Sequence, residues 1–174
     1  MNTHSSGYYS IDEEYTIIGM QAQEQGLTTV MEVEPEVYEN PYIYGSPLHL
    51  IRAMMNIYSN CIKYNKENGE IRTHIRLLYS DEKILTYQWT ISDTGIGISE
   101  DYLSRIFEPF TQEGTDARSV YQGTGLGMSI AKALFEQMGG NLEVFSKLGE
   151  GSTFVITLPF ERAQELKTTV IEKT

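Results

Sequence analysis

The sequence is marked first by what it has little of. It carries one cysteine, Cys61, in 174 residues, so no disulfide can close within it. A single thiol fits a reducing compartment. No apolar run approaches the roughly 20 residues that a helical membrane span needs, and no signal-peptide pattern marks the start. Positive charge is scarce: 13 Lys and Arg face 24 Asp and Glu, for a formal net charge of −11. That balance argues against non-specific binding to nucleic acid or to an anionic lipid surface. It leaves room for an anionic ligand, because such a site needs only local donors. There is no internal repeat, no zinc-ligand spacing and no locally supported Ser-His-Asp arrangement. What remains is 40% hydrophobic and 21% charged residues over a one-domain length, the composition of a soluble globular domain with a sizeable core.

The stretch over residues 49–64 organises the chain. Read as a helix, it sets Leu50, Ile51, Met54, Met55, Ile57, Tyr58, Cys61 and Ile62 on one arc. His49, Arg52, Asn56, Ser59, Asn60 and Lys63 fall on the other. Cys61 is thereby expected to be a small buried hydrophobe. Asn is a mediocre helix former, and an ordinary solvated face carries Glu and Lys. Asn56 and Asn60, one turn apart with Lys63 beyond, therefore suit a polar site as well as a surface.

Along the chain, residues 1–14 read as a flexible arm, and residues 15–25 as a short helix stopped by Gly26. Strands are expected over 28–33 and 42–44. Ser46 and Pro47 supply the N-cap and first position of the organising helix. Two alternating strands follow, over 70–79 and 83–93. His74 stands among arginines and reads as solvated. Asp93 ends the apolar face of the second strand, where a carboxylate needs a donor: a backbone N–H of the next turn, or a ligand amino group.

Gly95 and Gly97 come directly after Asp93 and would let backbone approach a ligand closely. A capped short helix over 99–106 leads to Phe107 and Phe110, both expected in the core. Residues 111–122 lack apolar periodicity and read as a mobile loop. Gly123, Thr124, Gly125, Leu126 and Gly127 then open a helix expected to bury Ile130, Leu134 and Met138. A glycine-rich loop at a helix N-terminus suits phosphate. It is not a P-loop, since no Lys-Ser/Thr follows the last glycine, and its spacing is not that of a Rossmann fingerprint. Strands over 141–146 and 152–159 form a closing hairpin, and residues 161–174 a charged tail.

Taken together, these segments resemble the ATP-binding catalytic domain of sensor histidine kinases, in the superfamily shared with gyrase-type topoisomerases, mismatch-repair ATPases and heat-shock chaperones. NIYSNCIKY resembles the N box, DTGIGI the first glycine box, IFEPF the phenylalanine box, GTGLGMSIA the second glycine box and GEGSTFVITLPF the closing hairpin. The boxes occur in the family's order over roughly residues 28–160. The resemblance implies an α/β two-layer sandwich, a mixed sheet packed on three main helices. Residues 1–27 would be an arm and linking helix, 28–160 the catalytic domain and 161–174 a tail or linker.

The resemblance also implies roles. Asn60 would hold Mg2+ and Asn56 would line the phosphate region. Lys63 would neutralise phosphate charge, and Tyr64 would pack on the adenine. Asp93 would accept from the adenine 6-amino group. Gly95, Gly97 and Ile98 would close under the base, and Thr153 would lie near it. Gly123, Thr124, Gly125, Leu126 and Gly127 would hinge the lid over ATP, from which Arg118 would reach the terminal phosphate. Asn60, Lys63 and Arg118 would thus be the catalytic set. Gln122 and Val120 depart from the family's usual glycine and basic residue. None of His4, His49 and His74 has the context of a phosphoacceptor, so the chain is expected to be the cytoplasmic catalytic fragment of a larger kinase, with a membrane anchor in the parent left open. Its partners would be a dimerisation and phosphoacceptor domain and a response regulator, with no nucleic acid or membrane contact. A non-catalytic nucleotide sensor, and an ATPase or serine kinase of the same superfamily, remain as alternatives. The latter would call for a carboxylate in the N-box helix, where Met55 and Asn56 stand.

Overall fold

A computed structural model of the chain describes residues 7–9, 11–39, 43–111 and 124–162. The elements run β1 (Gly7–Tyr9), α1 (Ile11–Glu24), β2 (Thr28–Val33), α2 (Pro35–Glu39), β3 (Ile43–Gly45), α3 (Pro47–Lys63), β4 (Glu70–Ser80), β5 (Ile84–Asp93), α4 (Glu100–Leu103), α5 (Gly127–Gln137), β6 (Asn141–Lys147) and β7 (Gly151–Arg162). The strands form one seven-stranded mixed sheet in the order β1-β3-β7-β5-β4-β2, with β6 also on β7. Among the described residues only β2 and β4 run parallel; the other pairs are antiparallel.

Strand alternation gives the sheet one apolar face. On β5, Leu85, Tyr87, Trp89 and Ile91 are buried; on β7, so are Phe154, Ile156, Leu158 and Phe160. The register lines these up across strands: Thr73, Ile91, Phe154 and Val144 form one row, and Ile75, Trp89, Ile156 and Leu142 the next. Thr73 is the polar member, and its Oγ1 lies 2.8 Å from the Tyr58 hydroxyl of α3. The outer face is polar, with Gln88 Nε2 donating to Thr157 Oγ1 at 3.2 Å and Ser92 Oγ 2.9 Å from Thr153 Oγ1.

The helices close the apolar face. α3 buries Leu50, Met54, Ile57, Tyr58 and Cys61 of the expected arc together with Ala53, while Ile51, Met55 and Ile62 are partly buried against the core. Ser46 stands at its N-cap with Pro47 next, although no side-chain cap bond forms. α5 lies beside α3 and buries Met128, Ala131 and Phe135. This corrects the expected face: Leu134 and Met138 only flank the core, and Ile130 is half-buried. Helix α5 begins at Gly127 and is closed by Gly139 at a φ of +80°, and its position beside α3 turns Met128 and Phe135 inward.

Other expectations shift as well. The polar start contains β1, paired with β3, and α1 starts at Ile11 rather than at 15. Ile18 and Ala22 of α1 join the core. Pro35–Glu39 form a short helix that buries Val37, where Pro occupies a first helical turn that needs no N–H. Of the two phenylalanines, Phe107 packs against the core, whereas Phe110 is 77% exposed. Phe110 adopts a φ of +62° at the corner where the backbone turns out of α4's loop, which swings its ring outward. His74 is half-exposed, 3.2 Å from Glu34, and belongs to no metal-ligand cluster among the described residues.

Candidate functional site

The candidate site lies where the C-terminal end of α3, the end of β5, the tip of the β6–β7 hairpin and the start of α5 converge. Asp93 is the last residue of β5, on the core side of the sheet. Its Oδ1 accepts the Gly95 N–H at 2.8 Å, which fixes the carboxylate over the turn that follows. The buried Cys61 thiol of α3 stands within the influence of this carboxylate. Burial first, and then the Asp93 carboxylate, push the thiol well above the usual range, so Cys61 stays protonated.

The turn after Asp93 is built by close backbone approach. A Cβ on Gly95 would stand 2.4 Å from the Tyr64 carbonyl oxygen. The Ile96 N–H donates to that same oxygen at 3.0 Å, which ties the end of α3 to the turn. Gly97 has a φ of +70°, and a Cβ there would fall 2.0 Å from the Lys147 carbonyl oxygen of the hairpin. The Gly149 N–H completes the seam by donating to Ile96 O at 2.8 Å. Thr94 anchors the other side: its Oγ1 accepts the Glu70 N–H at 2.8 Å and donates to Asn65 Oδ1 at 3.1 Å.

The polar side of α3 faces this turn at one end and α5 at the other. Asn56, Asn60, Lys63 and Tyr64 are all half-buried. The Lys63 ammonium lies 5.0 Å from the Tyr64 ring centroid. Asn56 reaches the other end, since a Cβ on Gly127 would stand 3.7 Å from its Oδ1. The first amides of α5, which have no earlier helical carbonyl to donate to, therefore start beside the Asn56 amide. The loop before α5 is tied back at its base: the Phe110 N–H donates to Gly125 O at 3.1 Å, and Gly125 takes a φ of +68°.

The structure thus brings Asn56 to Gly127, Tyr64 to the Gly95 turn with Lys63 beside its ring, and Asp93 to Gly95, with Gly97 and Ile98 on the hairpin. Asn60 lies on the same side of α3 between Asn56 and Lys63. Thr124, Gly125 and Leu126 lead into α5. Arg118 and Gly123, with Val120 and Gln122, lie outside the described residues. Thr153 stands apart, because its side chain is on the outer face with Ser92. The residue in register with Asp93 is Ser152, buried at 8% exposure on the core side. Sequence reasoning passed over Ser152, Ser146 and the thiol of Cys61. The first was findable by parity, since Ser152 alternates in step with Phe154 and Ile156.

Known proteins share this chain's sequence family and fold. The family model described as "Histidine kinase-, DNA gyrase B-, and HSP90-like ATPase" matches residues 45–162. The chain is 34% identical over 150 residues to hybrid signal transduction histidine kinase B of Dictyostelium discoideum, covering 86% of this chain and 7% of that protein. It is 40% identical over 130 residues to the autoinducer 2 sensor kinase/phosphatase LuxQ of Vibrio harveyi, covering 73% of this chain and 15% of that one. The sensor histidine kinase RcsC of Escherichia coli matches at 36% over 132 residues, 76% of this chain and 13% of RcsC. The chain thus spans a small part of the length of these relatives. Among solved structures, full-length ShkA in complex with AMPPNP superposes with a TM-score of 0.72 at 26% identity, covering 93% of this chain and 32% of ShkA. The catalytic domain of the histidine kinase ThkA shares the fold, with a TM-score of 0.70 at 21% identity over 89% of this chain and 95% of that one.

Proposed function

The chain belongs to the histidine kinase-, DNA gyrase B- and HSP90-like ATPase family, and on that premise we propose that it donates the γ-phosphoryl group of Mg-ATP to a histidine on a separate dimerisation domain. It is an ATP-binding catalytic domain of the sensor histidine kinase type. The observation that carries the finer reading is the convergence of Asp93 and its glycine turn, at one end of α3's polar side, with Asn56 and the start of α5 at the other. That spacing suits a ligand with a hydrogen-bonding base at one end and anionic groups at the other.

In this reading Asp93 accepts from the adenine 6-amino group, Tyr64 packs on the ring, and Gly95, Gly97 and Ile98 close beneath it. The backbone around Gly125, Leu126 and Gly127 receives the phosphates at the helix N-terminus, where the dipole favours negative charge. Gly123 and Thr124 complete the hinge of the lid. Lys63 offsets phosphate charge, and Arg118 acts on the terminal phosphate.

The donor set fits Mg2+ as a partner of ATP. Asn60 offers a neutral amide oxygen, a hard ligand, and no cluster of three carboxylates, His or Cys competes nearby among the described residues. A cation held by one such oxygen completes its shell from phosphates and water, as Mg2+ does. When bound it would neutralise phosphate charge. The chain's own part is to position ATP and to screen its charge, which is most of what phosphoryl transfer requires.

His49 and His74 are not part of this set, and His4 lies outside the described residues; in this reading the acceptor histidine belongs to a partner domain, and a receiver aspartate takes the phosphoryl group next. We place the activity in the cytoplasm. The domain division at residues 27 and 160 belongs to the same proposal. The test is transfer of labelled phosphate from ATP to an added phosphoacceptor hairpin of a histidine kinase. Labelling of that histidine supports the reading. ATP binding without transfer to any hairpin offered would leave a nucleotide sensor in its place.

A further inference from the structure

The Ser146 hydroxyl is where the glycine turn and both strands of the hairpin meet. Its Oγ accepts the Ile98 N–H at 2.9 Å and donates to Gly151 O at 2.8 Å. It also lies 2.9 Å from Ser152 Oγ. A serine hydroxyl has one proton and two lone pairs, whereas a backbone carbonyl can only accept. The Ser146 proton is therefore committed to Gly151 O. Its lone pairs receive the Ile98 N–H and, by elimination, the Ser152 O–H. With its proton committed in turn, Ser152 meets any further neighbour as an acceptor.

Ser152 stands directly across from Asp93 in the β5–β7 register. Side chains so paired on one face lie about 5 Å apart at Cβ. An ionised carboxylate is also an acceptor only. This end of the site therefore sets two acceptors side by side and offers no side-chain donor from either. The backbone around it leaves little slack: Gly151 has a φ of +95°, and a Cβ there would fall 2.1 Å from Asp93 O.

We propose that Ser146 is a positioning residue of the nucleotide site: it holds the Gly97–Ile98 turn by the Ile98 amide and turns the Ser152 proton away from the base. The Asp93–Ser152 end then selects a purine with an exocyclic amino group over one with a carbonyl at the same place. This rests on the nucleotide-binding reading above and adds to it the residue that sets hydrogen-bond direction. Ser146 itself touches no ligand in this account.

The test is titration of the chain, and of Ser146→Ala and Ser146→Thr, with ATP and with ITP, whose base carries a carbonyl in place of the amino group. Ser146→Ala leaves the Ile98 N–H without its acceptor and releases the Ser152 proton to meet a carbonyl. ATP affinity should fall about tenfold, the size of one lost hydrogen bond. ITP affinity should fall less, so the preference for ATP narrows, and Ser146→Thr should restore it by keeping the hydroxyl. A merely structural role would weaken both ligands alike. A second arm needs no variant: the Ile98 amide of the wild type should exchange slowly before nucleotide is added. An unchanged ATP-over-ITP ratio in Ser146→Ala, or fast exchange at Ile98, overturns the inference while wild-type ATP binding stands. Failure of the folded wild type to bind ATP overturns the nucleotide reading itself, and this inference with it.

Discussion

Asn56 of α3 and Gly127 of α5 face each other so closely that a Cβ on Gly127 would stand 3.7 Å from the Asn56 Oδ1. That is ordinary contact, and Gly127 does not have a positive φ. Gly127→Ala should therefore fold, with a stability equal to wild type or higher by up to about 1 kcal/mol through the stiffer unfolded chain. It should weaken nucleotide binding, because the added methyl enters the space between the two helices' polar ends. Thermal unfolding and titration with an ATP analogue, run on the same sample, separate the two effects.

Gly97 is the contrasting case. Its φ is +70° and the added Cβ would fall 2.0 Å from backbone oxygen of Lys147. Gly97→Ala should cost at least about 2 kcal/mol, since neither the backbone angle nor the hairpin can give without breaking the seam. Urea denaturation measures it; a loss under about 0.5 kcal/mol would contradict the close approach.

The two phenylalanines between α4 and the glycine loop should part company on substitution. Phe107 packs on the core beneath the Lys132 ammonium, which lies 5.4 Å from its ring centroid. Phe107→Ala should cost about 1–3 kcal/mol, scaled down from a fully buried ring. Phe110 is exposed and holds a φ of +62°, a conformation that glycine adopts without penalty. Phe110→Gly should be as stable as wild type or more so, by up to about 1 kcal/mol. Denaturation midpoints of the two variants decide.

Cys61 gives a pH dependence whose sign follows from its surroundings. Burial and Asp93 raise its thiol pKa in the folded state, so above the ordinary thiol value the folded chain binds more protons than the unfolded one. The contribution is complete below pH of about 8.5 and is lost as pH rises toward the folded pKa. Cys61→Ala should flatten the fall in stability on that alkaline side. The native thiol should also resist alkylation at pH about 8 and react once the chain is unfolded.

Much of the fold was legible because its signals are local. The 3.6-residue period of α3, the alternation of β4 and β5 and the Ser46-Pro47 start depend on residues a few places apart. What was not legible depends on partners far along the chain. β1 forms only because β3 lies beside it, and the buried side of α5 is chosen by α3 rather than by its own pattern. The same division runs through the site. Asn56, Asn60, Lys63, Asp93 and the glycines stood out by residue type and spacing, whereas Tyr64 came with the family resemblance. Ser152 and Ser146 did not, because a serine in a strand carries no signal until the β5–β7 and β6–β7 registers set it beside Asp93 and the Ile98 amide. Thr153 faces away from Asp93 and beside Ser92 for the same reason, since one position along a strand is the opposite face.

The central claim is that Asp93, over its glycine turn, is the base-recognition end of an ATP site. The measurement that tests it most directly is calorimetric titration with a non-hydrolysable ATP analogue, with and without Mg2+, on the wild type and on Asp93→Ala. The account predicts binding in the micromolar range that Mg2+ strengthens and that Asp93→Ala abolishes while the variant remains folded. Wild-type affinity retained by a folded Asp93→Ala variant would contradict it.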